Sequence, residues 1–148
     1  MVYLLYYLPD VESWSTAKYP WLSKWAGLYR IHPVVIDLAG RNRLSDKPPF
    51  NFRSLQDAHD SPHLAGYTWV WLKANGAVYL DEFAHPADNV IYCIGDDQTG
   101  FQGLDLPGPS IKLRPTNEQV LDEAEWWAAM VAPQVLYDRF MYLQGKRT

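Results

Sequence analysis

The sequence predicts an α/β domain built on a mainly parallel sheet flanked by helices. Three observations lead there. Apolar runs rich in β-branched and aromatic residues recur from Val2 to Leu113. The clearest of them, Val2 to Leu8 (VYLLYYL) and Asn89 to Ile94 (NVIYCI), do not alternate with polar residues, as befits strands buried on both faces. Between the runs lie stretches with helical spacing or enough length for a crossover. The chain of 148 residues is 48% hydrophobic and 20% charged, ample for a core, so disorder is excluded as its main state. One domain spanning residues 1–148 is expected.

The elements follow in order. Val2 to Leu8 is the first strand, stopped by Pro9. Trp14, Ala17, Trp21, Leu22 and Trp25 share one helical face, predicting a helix within Val11 to Ala26 that Pro20 kinks or starts and Gly27 caps. Tyr29 to Asp37 is the second strand. Gly40 to Gly66 is irregular and Pro-rich, with one short helix near Ser54 to His59. Tyr67 to Leu72 (YTWVWL) is a strand of strong β-formers, and Asn75-Gly76 is a turn. Val78 to Phe83 suits either a short helix or a strand. Asn89 to Ile94 and Ser110 to Leu113 are the remaining strands, separated by the loop Gly95 to Pro109. From Thr116 the spacing is helical, opened by the capping box Thr116 to Gln119, kinked or divided at Pro133, with Lys146 and Arg147 near its end.

Composition narrows the function classes. A net charge of −4 excludes a strongly basic nucleic-acid coat, so an anionic partner must meet a local patch. One cysteine, Cys93, excludes an intrachain disulfide framework and a cysteine metal cluster, and suits a cytoplasmic, reducing compartment. No run approaches the roughly 20 apolar residues of a membrane span. Cys93 lies within a strand and reads as a buried apolar residue rather than a nucleophile, and His32 reads as structural. Asp57, His59, Asp60 and His63 have ligand chemistry, but Pro62 breaks the helix that would align the two histidines, so no metal site is expected. Trp69 and Trp71 share a strand face and belong in the core or in an interface between copies.

Two segments carry candidate chemistry. In parallel sheets, ligands bind beyond the carboxyl ends of the strands. Gly95-Asp96-Asp97-Gln98-Thr99-Gly100 follows a buried strand directly. Its glycines permit close backbone approach, and its carboxylates accept hydrogen bonds from ribose hydroxyls or amines. The second segment, Arg41 to Arg53, contains Arg41, Arg43, Lys47 and Arg53 with Phe50 and Phe52. Arginines grip phosphates through paired hydrogen bonds, and either phenylalanine could stack on a base.

The stretch from Phe83 to Phe101 resembles the SPOUT methyltransferases, in whose ribose-methylating branch a His-Pro precedes a strand ending in Gly, any residue, an acid and then a further Gly. Here these are His85, Pro86, Gly95, Asp97 and Gly100. Val135-Leu136-Tyr137-Asp138-Arg139 resembles the end of the family's last helix. The likeness covers the chain from about Tyr67 onward, and the first 66 residues match in broad pattern. It implies a C-terminal trefoil knot formed from Gly95 to Pro115 and the start of the last helix. It implies S-adenosylmethionine as cofactor, met at Ile94, Gly95, Asp96, Gly100, Ile111, Leu113, Thr116 and Asn117, largely through the main chain. The implied activity is methyl transfer to a ribose 2′-hydroxyl of RNA, of the tRNA or rRNA kind, by a homodimer. Asp97, Arg41 and Arg43 are the catalytic candidates. Three places depart from the pattern: Glu125-Trp126-Trp127 stands where the family has Ser-Leu-Asn, Trp21 or Lys24 falls where it has an early arginine, and Asp97 stands where Glu, with its longer reach, is common. The alternative is a SPOUT-like binding or interaction protein without catalysis.

Overall fold

A computed structural model describes residues 1–8, 24, 27–37, 51–73, 75–95, 101, 107–114 and 128–147. The strands are β1 (Val2–Leu8), β2 (His32–Asp37), β3 (Asn51–Phe52), β4 (Thr68–Leu72), β5 (Val78–Tyr79), β6 (Val90–Ile94) and β7 (Ser110–Lys112). Besides the helical residues Lys24, Gly27 and Leu28 of a first helix, the helices with bounds among the described residues are α1 (Leu55–Asp60) and α2 (Ala128–Leu143), with 3₁₀ turns at Pro62–Leu64 and Leu80–Glu82. The strands form one sheet of order β3-β2-β1-β6-β4-β7-β5, and every pairing is parallel. The mainly parallel α/β architecture expected from the continuous apolar runs is therefore present.

The central strands are buried on both faces, as their sequences require. Leu4, Tyr6, Val70, Leu72, Tyr92, Ile94 and Ile111 turn to one side, where Val131, Ala132, Val135 and Leu136 of α2 cover them. Tyr3, Leu5, Tyr7, Trp69, Trp71, Ile91 and Cys93 turn to the other, against Leu55 and Ala58 of α1 and Leu64 of the 3₁₀ turn. Trp69 and Trp71 stack at 5.6 Å between centroids, and Phe101 meets Trp71 edge-on at 5.0 Å. Both tryptophans belong to the core.

Several boundaries differ from the sequence expectation. The first helix does not end at Gly27. Leu28 is still helical, and the left-handed residue that stops it is Arg30, with φ 56° and its N–H on the Gly27 carbonyl at 3.1 Å. The second strand accordingly begins at His32 rather than Tyr29. The helix near Ser54 forms because the Ser54 hydroxyl accepts the Asp57 N–H at 3.0 Å, a standard N-cap. Val78 to Phe83 divides between the two expected states, two strand residues and then a 3₁₀ turn. Pro133 does not divide the last helix: α2 continues through it. Its end is a Schellman cap, with Gly145 at φ 67°, the Gly145 N–H on Tyr142 and the Lys146 N–H on Met141. The capping box at Thr116 and the helix predicted from Val11 lie outside the described residues, save Lys24, which is helical and exposed. Among the described residues no helix is long and apolar enough to cross a membrane.

Candidate cofactor site and the clamp beneath it

All strands run the same way, so their carboxyl ends share one edge. Register aligns three of these ends in a row. Leu72 of β4 pairs with Ile94 of β6 on one side and with Ile111 of β7 on the other. Ile94 and Ile111 are each 1% exposed, whereas Gly95 and Leu113, just beyond, are half-buried. The sheet thus brings together Ile94, Gly95, Ile111 and Leu113, four of the expected cofactor contacts, around one strand end. The Ile111 carbonyl is already engaged, accepting the Lys73 N–H at 3.0 Å. Asp96, Asp97, Gly100, Thr116, Asn117, Arg41, Arg43 and Glu125 to Trp127 lie outside the described residues, as does most of the path that would form a knot.

The return of the chain to this edge is tightly specified. Trp71 donates its indole N–H to the Pro107 carbonyl at 2.8 Å and its backbone N–H to the Pro109 carbonyl at 2.9 Å. Gly108 between them has φ 115°, and a Cβ there would lie 2.2 Å from the Trp69 carbonyl oxygen. Gly76 likewise sits against Ile111, where a Cβ would be 2.5 Å from the carbonyl carbon. Glycine at 108 lets the chain entering β7 lie flush against β4, and glycine at 76 lets the turn between β4 and β5 lie flush against β7.

Beneath this edge, on the α2 side, the two segments that carry the family resemblance meet. The His85 side chain has no exposed surface. Its Nε2 lies 2.8 Å from Asp138 Oδ2, and its Nδ1 lies 2.7 Å from the Tyr92 hydroxyl. A carboxylate only accepts, so Nε2 carries the proton and Nδ1 accepts from Tyr92. Burial lowers the His85 pKa to about 4, against the pull of Asp138, so the ring is neutral at neutral pH. Burial likewise raises the Tyr92 hydroxyl above its ordinary range. Asp138 also pairs with Arg147, whose guanidinium stacks on Tyr142 at 4.5 Å. Arg139 donates to the Ala87 carbonyl at 2.7 Å and the Pro86 carbonyl at 3.4 Å. His85-Pro86 and Asp138-Arg139 thus clamp the start of β6 to α2. With the site's exit loop at the far end of β6, the clamp anchors its base. The sequence showed both halves of the clamp but not their contact.

Other candidates fall elsewhere. Phe52 is not available to a base: it is 7% exposed and packs in the core with Leu55. Cys93 is fully buried, and burial raises its thiol well above the usual range, leaving it a core residue. His59 packs against the Trp69 ring at 5.8 Å, with Nδ1 3.5 Å from Asp60. Among the described residues no group of three or more His, Cys, Asp or Glu side chains could hold a metal ion. His32 is exposed at the start of β2, its ring 6.0 Å from Tyr3.

No protein-family profile matches the sequence, and no curated protein matches it at a significant level. Solved structures do match. A structure concerned with the 2′-OH methylation of C/U34 on tRNA superposes with a TM-score of 0.69 at 17% identity, covering 98% of this chain and 92% of that one. A Bacillus anthracis protein assigned to the RNA methyltransferases superposes with a TM-score of 0.60 at 11% identity, covering 95% of each chain. At such identities the likeness speaks for architecture. The mainly parallel sheet with its flanking helices is thus a fold shared with both structures over nearly the whole chain.

Proposed function

We propose that the protein is an S-adenosylmethionine-dependent methyltransferase that acts on RNA at a ribose 2′-hydroxyl. The observation that carries this reading is the convergence of Ile94-Gly95 and Ile111-Leu113 on the carboxyl end of β4, in a fold shared over nearly the whole chain with a structure concerned with tRNA 2′-OH methylation. The residues at that edge fit such a cofactor: an apolar floor of Leu72, Ile94 and Ile111 is bordered by half-buried main chain at Gly95 and Leu113. Ile94, Gly95, Ile111 and Leu113 would hold it, with Asp96, Gly100, Thr116 and Asn117 completing the site in a C-terminal knot. When bound, the cofactor supplies an electrophilic methyl group. Arg41 or Arg43 orients the ribose by its neighbouring phosphate. The methyl group would pass from the cofactor's sulfonium sulfur, which keeps the bonding electron pair and leaves as a thioether, to the 2′ oxygen, whose proton would pass to the Asp97 carboxylate.

A homodimer is part of the same reading. Leu28, Tyr137, Phe140 and Leu143 are 68%, 55%, 47% and 40% exposed, large apolar side chains on the outer face of α2 and the end of the first helix. With Tyr29, Arg30 and Arg139, the first three border a groove of about 580 Å³. Aromatic residues and arginine on one face are the composition of an interface core.

Isothermal titration with S-adenosylmethionine, followed by transfer of its labelled methyl group to tRNA and rRNA, tests the proposal. Binding and an alkali-resistant methylated linkage are the expected results. No binding at millimolar cofactor would defeat it. Binding without transfer to either RNA would favour the non-catalytic reading, which Glu125-Trp126-Trp127 in place of Ser-Leu-Asn motivates.

A further inference from the structure

The row of residues just outside Leu72 gathers side chains that the cofactor reading leaves unused. Leu72 pairs with Ile94 and Ile111, and the Lys73 N–H continues the ladder to Ile111. The next row therefore runs Gly95, Lys73, Lys112 and Tyr79 across the ends of β6, β4, β7 and β5, its last pair in direct register. Side chains alternate along a strand, so this row faces away from Leu72, Ile111 and Val78, on the side of Trp69 and Trp71.

The charges at this edge are unequal in their freedom. Arg114 is neutralised by Asp81 at 2.9 Å and Glu82 at 2.7 Å. Lys73 and Lys112 have no carboxylate partner among the described residues. Lys112 is held in place by the Tyr79 ring, its Nζ 4.5 Å from the centroid. Neighbouring strands stand about 4.8 Å apart, so the two lysines issue from adjacent backbone positions. Like charges side by side on a sheet oppose its stability. Tyr79 offsets part of this for Lys112 but nothing among the described residues does so for Lys73, whereas an anion shared between them would serve both.

We propose that Lys73 and Lys112 form a phosphate shelf that holds the RNA backbone beside the nucleotide presented to the Gly95 loop. The proposal rests on the RNA reading above and adds to it where the substrate's backbone lies. It also bears on how a chain of net charge −4 meets a polyanion: beside Arg41 or Arg43, two ammonium groups with no carboxylate partner among the described residues stand at one strand edge.

Fluorescence anisotropy with a fluorescein-labelled tRNA anticodon stem-loop, on the full chain over a salt series, is the test. Lys73→Gln with Lys112→Gln is expected to weaken binding about tenfold near 0.15 M salt. The double variant should lower the magnitude of the log–log salt slope by about 1.4, some 0.7 for each phosphate no longer neutralised. The double arginine variant keeps the charge and should restore binding. Thermal unfolding of the glutamine variant should stay near the wild-type value, the lost Lys112–Tyr79 contact being offset by the repulsion removed. If the wild type binds the RNA and the glutamine variant keeps both affinity and slope, the shelf is wrong and the RNA reading stands. If the variant loses S-adenosylmethionine affinity while RNA binding is unchanged, the lysines serve the cofactor and the shelf is again wrong. A wild type that binds no RNA removes both.

Discussion

Acid should loosen this protein through one residue. His85 is packed between Phe83, Tyr92 and Tyr142, bonded to Asp138, and faced by Arg139 and Arg147. Its pKa is about 4 in the fold, against 6.5 for a free histidine. The sign follows from linkage. The unfolded chain takes up the proton first, so the His85 contribution is fully present above pH 6.5 and lost as pH falls toward 4. One pKa unit corresponds to about 1.4 kcal/mol, so the loss is about 2 kcal/mol at pH 5 and about 3 kcal/mol at pH 4. His85→Gln removes the titration but keeps a neutral donor toward Asp138. At pH 7.5 it should cost about 2 kcal/mol, the value of a buried hydrogen bond to a charged group. Urea unfolding of both proteins from pH 7.5 to pH 4, at fixed ionic strength, isolates the effect in their difference. The two stability curves should approach each other and cross near pH 5. Parallel curves would mean that His85 takes up no extra proton on unfolding in this range, and the neutral buried ring would have to be abandoned.

Three further outcomes are expected. Arg30→Gly should raise stability by about 0.5 to 1 kcal/mol in chemical denaturation, because φ 56° is a conformation only glycine adopts freely. An unchanged or lowered stability would count against the left-handed cap. Gly145→Ala and Gly108→Ala should differ sharply although both sites have positive φ. The first has open space and should lose about 1 kcal/mol, while the second meets the Trp69 carbonyl at 2.2 Å and should lose about 3 kcal/mol or more, read as unfolding free energies. Cys93 should react with a thiol reagent only as fast as the protein unfolds, since its thiol is fully buried and held protonated. Rapid labelling of the native protein would place β6 at the surface.

Much of the fold was legible because burial on two faces leaves a strong mark. Val2 to Leu8 has no polar residue to spare for solvent, and it became the strand between β2 and β6. Ser54 announced α1 by the reach of its hydroxyl. The misses have local causes. Arg30 and Asn89 adopt positive φ, which residue type alone does not require, and each moved a strand start inward. β3 has two residues, too few for any period to show, and its Phe52 looked like a loop aromatic until the sheet edge buried it. Pro133 breaks a helix only if the bond it removes has no substitute, and the packing of Val131, Ala132, Val135 and Leu136 holds α2 together across it.

The candidate site was half legible for a different reason. A motif names residues in order along the chain, but a parallel sheet decides neighbours by register, and register across long crossovers leaves no local mark. Ile94 and Ile111 could be suspected singly; that both flank Leu72 is a property of the ladder. The same holds for His85 and Asp138, 53 positions apart and in contact. Net charge misleads in the same way. A formal −4 counts Arg114 as free although Asp81 and Glu82 consume it, and counts Asp138 as free although Arg147 and His85 consume it. What a partner meets is the remainder after such pairing. Among the described residues beside Gly95, the charges without a carboxylate partner are Lys73 and Lys112, both positive. An acidic chain can therefore present a pair of free cations, because pairing, rather than composition, decides which charges are left to act.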